Sequence, residues 1–425
     1  MASTPPVAYK AILVQFMSFV DSMMYSVTDD TTIFFSREQL SQITADDVAR
    51  YLNYKAYGNP EPAAEELPTR CRSNTLLYHK KALSAFMPRQ NMIWDDEQQR
   101  GNPTKSSAVN NIIGKVKKHE ARGTGVSSCA RRAVEWDEFI SLLTSARMVL
   151  RDKAAIMLLA LLTLQWQLIA RVDNCLRLAT TTILFNFQDP FTLWIKMCWS
   201  KNIRTEQECP TQILFAAMDP LVCPLLNLGI MIEYVGTEGG LLFGRCHRSA
   251  ANLLKQVYTS SLFISQRPGK LGTHSIRKGP ATFASRYGCQ KDWINQRGRW
   301  RGKKQQIDTY IDIFQPYPDA RVAGVLCGIC GPCKYQVKAG KNVPAAFLES
   351  ITPHTCEVFG PEIAKVFALP LLWAAFEREC TCNGTAHSIV PIELAVRGLK
   401  LVAMLKQIQL KRFLCQCSIM GISCF

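Results

Sequence analysis

At 425 residues, with 48% apolar and 20% charged side chains, the chain is rich enough in apolar residues to bury real cores. At about 100–200 residues per domain it holds two or three domains. A formal net charge of +16 points to an anionic partner, most often nucleic acid. Seventeen cysteines occur with no basic n-region, apolar h-region and small-residue cleavage site at the start of the sequence. That argues against secretion and a disulfide framework, and for reduced thiols acting as small hydrophobes.

Residues 1–30 carry few structural cues and read as a poorly defined N-terminal segment. From 31 to 120 the pattern is helical. Ser36 with Gln39, and Thr44 with Asp47, have the spacing of capping boxes. Leu76, Leu83 and Phe86 sit at helical spacing, and Val109, Ile112, Ile113 and Val116 make one apolar stripe. Lys115, Lys117 and Lys118 accompany that stripe; they suit a phosphate backbone, or simply a solvated face. Residues 121–130 are Gly/Ser-rich without apolar period and read as a linker.

A second domain is expected over 131–320. Trp136, Phe139, Ile140, Leu142 and Leu143 suit an amphipathic helix, and a longer helix follows from about Arg151 to Ala170. The apolar run Ala154 to Leu164 within it is shorter than the ~20 residues of a bilayer span. Gln165 and Gln167 then interrupt it, so it reads as a buried core helix, and no membrane partner is expected. Two β-like runs, Thr180 to Phe185 and Phe191 to Trp199, flank the turn Asn186 to Pro190. Further helices are predicted over Ser249–Ser260, Ile276–Tyr287, Asp292–Arg297 and Gln305–Phe314. The fold class is therefore mainly α with a small β-sheet, α+β. Residues 321–425 hold nine of the seventeen cysteines and read as a Cys-rich C-terminal appendage to which no fold is assigned.

The most informative stretch starts at Thr273-His-Ser-Ile-Arg-Lys-Gly. It places His274 and Arg277 at i and i+3, on one side of a helix turn and within reach of one phosphate. Arg297-Gly-Arg-Trp-Arg301 follows, and then Tyr310 within Ile-Asp-Thr-Tyr-Ile-Asp. Trp300 lies 23 residues after Arg277, and Tyr310 lies 10 after Trp300. Taken singly, each has an ordinary explanation. His-x-x-Arg recurs by chance, Tyr310 and Trp300 suit a core, and Arg171 suits the C-terminal cap of a long helix.

In order and spacing these residues resemble the catalytic domain of the tyrosine recombinase, or phage integrase, family. That family's pattern is an early Arg, a Lys on a β-hairpin, His-x-x-Arg, a His or Trp, and a nucleophilic Tyr. Trp in the second His position with Arg on either side looks most like the eukaryotic Crypton mobile elements. The resemblance covers about 131–314, and the helical region before it matches the family's core-binding domain by position and character. Arg171 fits the early Arg, at the start of Arg171-Val-Asp-Asn-Cys-Leu-Arg-Leu178, with Arg177 as its rival. Asn174 departs from the acidic residue common there, and a one-residue shift to Asp173 turns a helix by about 100°. Lys201, near the expected hairpin turn and followed by Asn202, is preferred as the Lys over Lys196.

The resemblance implies attack of Tyr310 on a DNA phosphodiester, giving a covalent 3′-phosphotyrosine and a free 5′-hydroxyl. Arg171 and Arg277 would hold the non-bridging oxygens in forked hydrogen bonds. Lys201 would protonate the leaving oxygen, and His274 would assist proton transfer or bind the phosphate. Trp300 can only donate one N–H or pack. Arg299 and Arg301 are further DNA-binding candidates. The chemistry requires no metal or nucleotide cofactor. The implied partners are double-stranded DNA and further copies of the chain, a homo-oligomer assembled on it. Binding should weaken steeply with salt. The substrate and the Crypton likeness imply the nucleus.

Two rivals stand beside this reading. One is a DNA-binding relic of the same fold without catalysis. The other is a zinc-dependent regulator using the C-terminal cysteines. Cys327, Cys330 and Cys333 have knuckle spacing, with His354, Cys356, Cys380 or Cys382 as fourth ligand of a structural zinc. Reduced thiols are the plain alternative.

Overall fold

Two capping boxes start the first helices after the N-terminal one. Ser36 Oγ accepts from the Gln39 N–H at 3.2 Å while the Gln39 side chain accepts from the Ser36 N–H at 2.8 Å. Thr44 and Asp47 repeat the exchange. Both boxes stand where the sequence placed them, because each is a purely local bargain between neighbouring donors and acceptors. The structure is a computed structural model and describes residues 7–25, 35–199, 211–244, 247–300, 316–335 and 345–380. The chain divides into two compact units, Met1–Cys129 and Ala130–Phe425.

The first unit is helical: α1 (Val7–Val20), α2 (Arg37–Ser41), α3 (Ala45–Tyr57), α4 (Ser73–Ser84) and α5 (Ser107–Ala121). Phe16, Tyr51, Leu52, Leu76, Leu83, Val109, Ile113 and Val116 share its core. The N-terminal segment thus differs from expectation. Ile12, Leu13, Val14, Phe16 and Met17 of α1 are all buried in that core, with Phe16 edge-on to Tyr51 at 5.2 Å. The helix is apolar on several sides and has no acidic first turn or basic last turn, so it carries no local signal and is held by what it packs against. Glu120 on α5 binds Arg72 at 2.9 Å and the Ser73 N–H at 2.5 Å, tying the last helix to the start of α4.

In the second unit, α6 (Trp136–Val149) and α7 (Asp152–Gln167) lead to the short α8 (Val172–Leu176). Strands β1 (Ile183–Phe185), β2 (Leu193–Lys196) and β3 (Thr211–Leu214) form one antiparallel sheet. Ile183 faces Ile195, and Leu193 faces Leu214. Asn186 builds the β1–β2 turn, its Oδ1 accepting from the Gln188 and Asp189 N–H groups. Then come β4 (Ala216–Ala217), α9 (Pro224–Tyr234), α10 (His247–Tyr258), α11 (Thr273–Arg286), α12 (Lys291–Gly298) and α13 (Pro316–Leu326). The unit continues with β5 (Pro332–Cys333), α14 (Ala345–Ile351), α15 (Pro353–Phe359) and α16 (Pro361–Cys380). No helix of the described residues is long and apolar enough to cross a membrane. The second unit is mainly helical with a small sheet, as expected.

The chain after 320 is the second correction. It is no appendage over its described part. β5 pairs with β4, Cys333 opposite Ala216. Tyr335 donates to the Ala217 carbonyl at 3.0 Å, and Thr355 donates from N–H and hydroxyl to the buried Glu233 on α9. Val322, Leu326, Phe367 and Leu371 belong to the same core as α7 and α9. Helix α9 itself, buried on every face from Pro224 to Glu233, went unforeseen, because an apolar helix without a polar face has no period to read. The predicted helix Gln305–Phe314 lies outside the described residues.

Candidate active site

Two helix ends build the site, and both end the same way. At the end of α7 the Ile169 N–H bonds the Trp166 carbonyl and the Ala170 N–H bonds the Gln165 carbonyl, with Ile169 at φ +45°. At the end of α12 the Arg299 N–H bonds Gln296, the Trp300 N–H bonds Asn295, and Arg299 sits at φ +55°. These are Schellman caps, in which the left-handed residue is usually glycine. A β-branched or long residue there costs about 1–2 kcal/mol, so surrounding contacts must impose the conformation. The first cap delivers Arg171 and the second delivers Trp300. Helix α11 ends in the same motif with the expected residue, Gly288 at φ +81°.

Arg277 rises from α11 into this place and is only 7% exposed. One of its guanidinium nitrogens donates to the Gly298 carbonyl, and its Cζ lies 4.8 Å from the Trp300 ring centre. Gly298 is required for that stack: a Cβ there would lie 2.2 Å from the Trp300 ring. Arg299 donates to Gln212 on β3 and, at 3.4 Å, to the Leu168 carbonyl at the end of α7. Burial, reinforced by the positive charge of Arg299 and Arg171, pulls Arg277 down to about 9. Burial also brings Arg299 to about 10, with Cys175 and Asp319 opposing and Arg297 and Arg171 adding to the fall. Both remain cations at neutral pH. Among the described residues no carboxylate lies within 4 Å of Arg171, Arg277 or Arg299. Three guanidinium groups thus feel one another's charge with no ion pair to a carboxylate among the described residues, the kind of arrangement that suits an anion.

The rival for the early Arg is placed elsewhere. Arg177 is exposed and stacks on Trp199 at 4.0 Å, whereas Arg171 is half-buried and acts on Arg277. His274 is exposed in the first turn of α11. Lys196 ends β2 opposite Thr211. Lys201, Arg301 and Tyr310 lie outside the described residues. Lys115, Lys117 and Lys118 are all exposed on α5 of the first unit.

The three knuckle cysteines have different surroundings. Cys327 is buried, accepts from Gln167 Nε2 at 3.2 Å and faces the Ala216 carbonyl. Cys330 is exposed, and Cys333 is buried in β5. Of the proposed fourth ligands, the His354 ring lies 3.1 Å from the Glu233 carbonyl and Cys356 is half-buried; Cys382 lies outside the described residues. Among the described residues no group of three or more His, Cys, Asp or Glu comes together to hold a metal ion.

Sequence reasoning missed the polar frame behind the site. Arg297 is 1% exposed, donating to Asp319 at 2.6 Å and to the carbonyls of Gln167 and Ile213. Within Arg-Gly-Arg-Trp-Arg it looks like one more basic residue. Its only sequence clue is its place just before Gly298, at the end of α12. Asn174 is 2% exposed, and neither its Nδ2 nor its Oδ1 finds a partner.

No family model matches the chain, and no curated protein matches it. Among solved structures it is similar to an Flpe–Holliday junction complex, at 14% identity and a TM-score of 0.40. That match covers 86% of this chain and 96% of the other. An FLP recombinase–Holliday junction complex is similar to the same degree, at 14% identity and 0.40, covering 87% and 97%.

Proposed function

We propose that the protein cuts and rejoins DNA strands as a tyrosine recombinase, with Tyr310 as nucleophile. The observation that carries this reading is the group of Arg171, Arg277 and Arg299, each presented by a different helix end or face and none ion-paired to a carboxylate among the described residues. Such a group fits a phosphodiester whose charge grows on attack, and preorganised charge of this kind is usually the largest catalytic term. The Tyr310 oxygen would form a bond to phosphorus as the bond to the 5′ oxygen breaks. Lys201 would give that oxygen its proton, and His274 would receive the tyrosine proton. Rejoining reverses the steps, so the phosphodiester energy is kept and no cofactor is consumed. Trp300 would hold Arg277 from one side. Exposed Lys115, Lys117 and Lys118 would contact the phosphate backbone, and several copies would assemble on double-stranded DNA. Mobile-element integration in the nucleus is the context the Crypton likeness implies.

A second reading is a DNA-binding relic of the fold, and Asn174 favours it: an amide with unpaired atoms stands where the family has an acid. The test is a nicked suicide duplex carrying the element ends, resolved on a denaturing gel. A covalent adduct that vanishes in Tyr310→Phe is expected. DNA binding without any adduct would overturn the enzymatic reading and leave the relic.

A further inference from the structure

Gln165 interrupts the apolar run of α7 and is 1% exposed. Its side-chain Nε2 donates at 3.2 Å to the Ala170 carbonyl and at 3.2 Å to the Thr273 carbonyl. Ala170 is the residue before Arg171, and Thr273 is the residue before His274. The same residue's backbone carbonyl accepts the Ala170 N–H at 3.1 Å, closing the cap that turns the chain into Arg171. One buried amide therefore spends both of its hydrogens on the two backbone segments that carry the early Arg and the His-x-x-Arg helix. These segments are more than a hundred residues apart in sequence. Ile169, just before Ala170, is in the left-handed region, so the cap alone does not favour this path.

We propose that Gln165 is a positioning residue that fixes the spacing between Arg171 and the His274–Arg277 turn, and so sets how both guanidinium groups meet one phosphate. This rests on the proposed recombinase reading. Removing the donor frees a buried and a half-buried carbonyl and lets the segments drift; a misplacement of about 1 Å can cost on the order of 10²-fold in rate.

The test uses the full chain with Gln165→Met, and with Gln165→Glu as a second variant of the same size that cannot supply both hydrogens. Adduct formation on the nicked duplex is timed at saturating protein, and the dissociation constant for the same DNA is measured separately. The expected result is a cleavage rate about 10²-fold lower with an unchanged dissociation constant. With a neutral methylphosphonate at the scissile position, the variant should lose at most about 2-fold, because the oxygen charge that the arginines meet is gone and the two perturbations share one interaction. A merely structural role would slow both substrates alike. Cleavage by either folded variant at the wild-type rate, or equal losses on both substrates, would overturn the proposal. Inorganic phosphate keeps it separable from the functional reading. Should the wild type form no adduct but bind phosphate in a way that Arg277→Ala abolishes, Gln165→Met is still expected to weaken that binding about tenfold, by 1.4 kcal/mol. Unchanged phosphate affinity would overturn the proposal. A wild type with neither adduct nor Arg277-dependent phosphate binding would overturn both readings.

Discussion

Arg171 and Arg177 are six residues apart on one short stretch, yet they do different things. Arg171 adds its charge to Arg277, while Arg177 lies on the exposed Trp199 ring. Arg277→Ala is therefore expected to lower adduct formation about 10²–10³-fold, as loss of one preorganised donor does, while Arg177→Ala leaves it within about threefold. Timing the adduct on the nicked duplex checks both. A second residue with a measurable signature lies in the first unit. His79 is buried, and its ring lies 3.1 Å from the Tyr51 hydroxyl. Burial, with Lys55 nearby, depresses it to about 4. Its folded pKa thus lies below the ordinary unfolded value of about 6.5. Between those values the unfolded chain takes up a proton that the fold refuses. The stabilisation is complete above about pH 6.5 and is lost as pH falls toward 4, by up to ~3 kcal/mol. Urea unfolding of the full chain at pH 7.5 and 5 should show this loss in the first unit's transition, and His79→Gln should reduce it.

At the scale of elements, the polar frame decides where the helix ends stop. The Arg297–Asp319 pair holds the end of α12 against α13, and Asp319 also accepts the Ile213 N–H of β3 at 2.8 Å. Removing one member leaves the other charge buried. Asp319→Ala should cost about 3–5 kcal/mol, visible as a fall in melting temperature. Arg297→Met combined with Asp319→Leu should recover much of it, because an apolar pair carries no desolvation penalty. A comparable device ties the start of the second unit to α6. Burial raises the Glu138 carboxyl, but the forked bonds from Arg132 and the N–H groups of Glu135 and Gln266 overcome it and hold it at about 2. Arg132 reaches Glu138 at 2.7 and 2.5 Å, and its N–H meets the Lys270 carbonyl just ahead of α11.

At the scale of the whole molecule, the second unit has one core running from Val134 to Leu372. A chain stopped at residue 320 would lose Val322, Leu326, Phe367 and Leu371 from it and would bare α9. Burying one such side chain is worth about 1.5–3 kcal/mol, while a whole protein holds only about 5–15 kcal/mol. That truncated chain is expected to lack the second unit's cooperative thermal transition, while the full chain should show it. Calorimetry of the two chains decides.

The sequence by itself determined what is local. It located the capping boxes at Ser36 and Thr44, the Asn186 turn and the α7 core run, because each depends on neighbours a few residues away. Tertiary structure alone decided the rest. It laid Arg177 on the Trp199 ring, buried Arg297 while leaving Arg299 and Trp300 less so, and folded the described chain beyond 320 into the core. A lone arginine reads the same whether it meets solvent, a carboxylate or two other arginines. Only contacts across a hundred residues, such as the Gln165 amide joining Ala170 to Thr273, set which of these it meets.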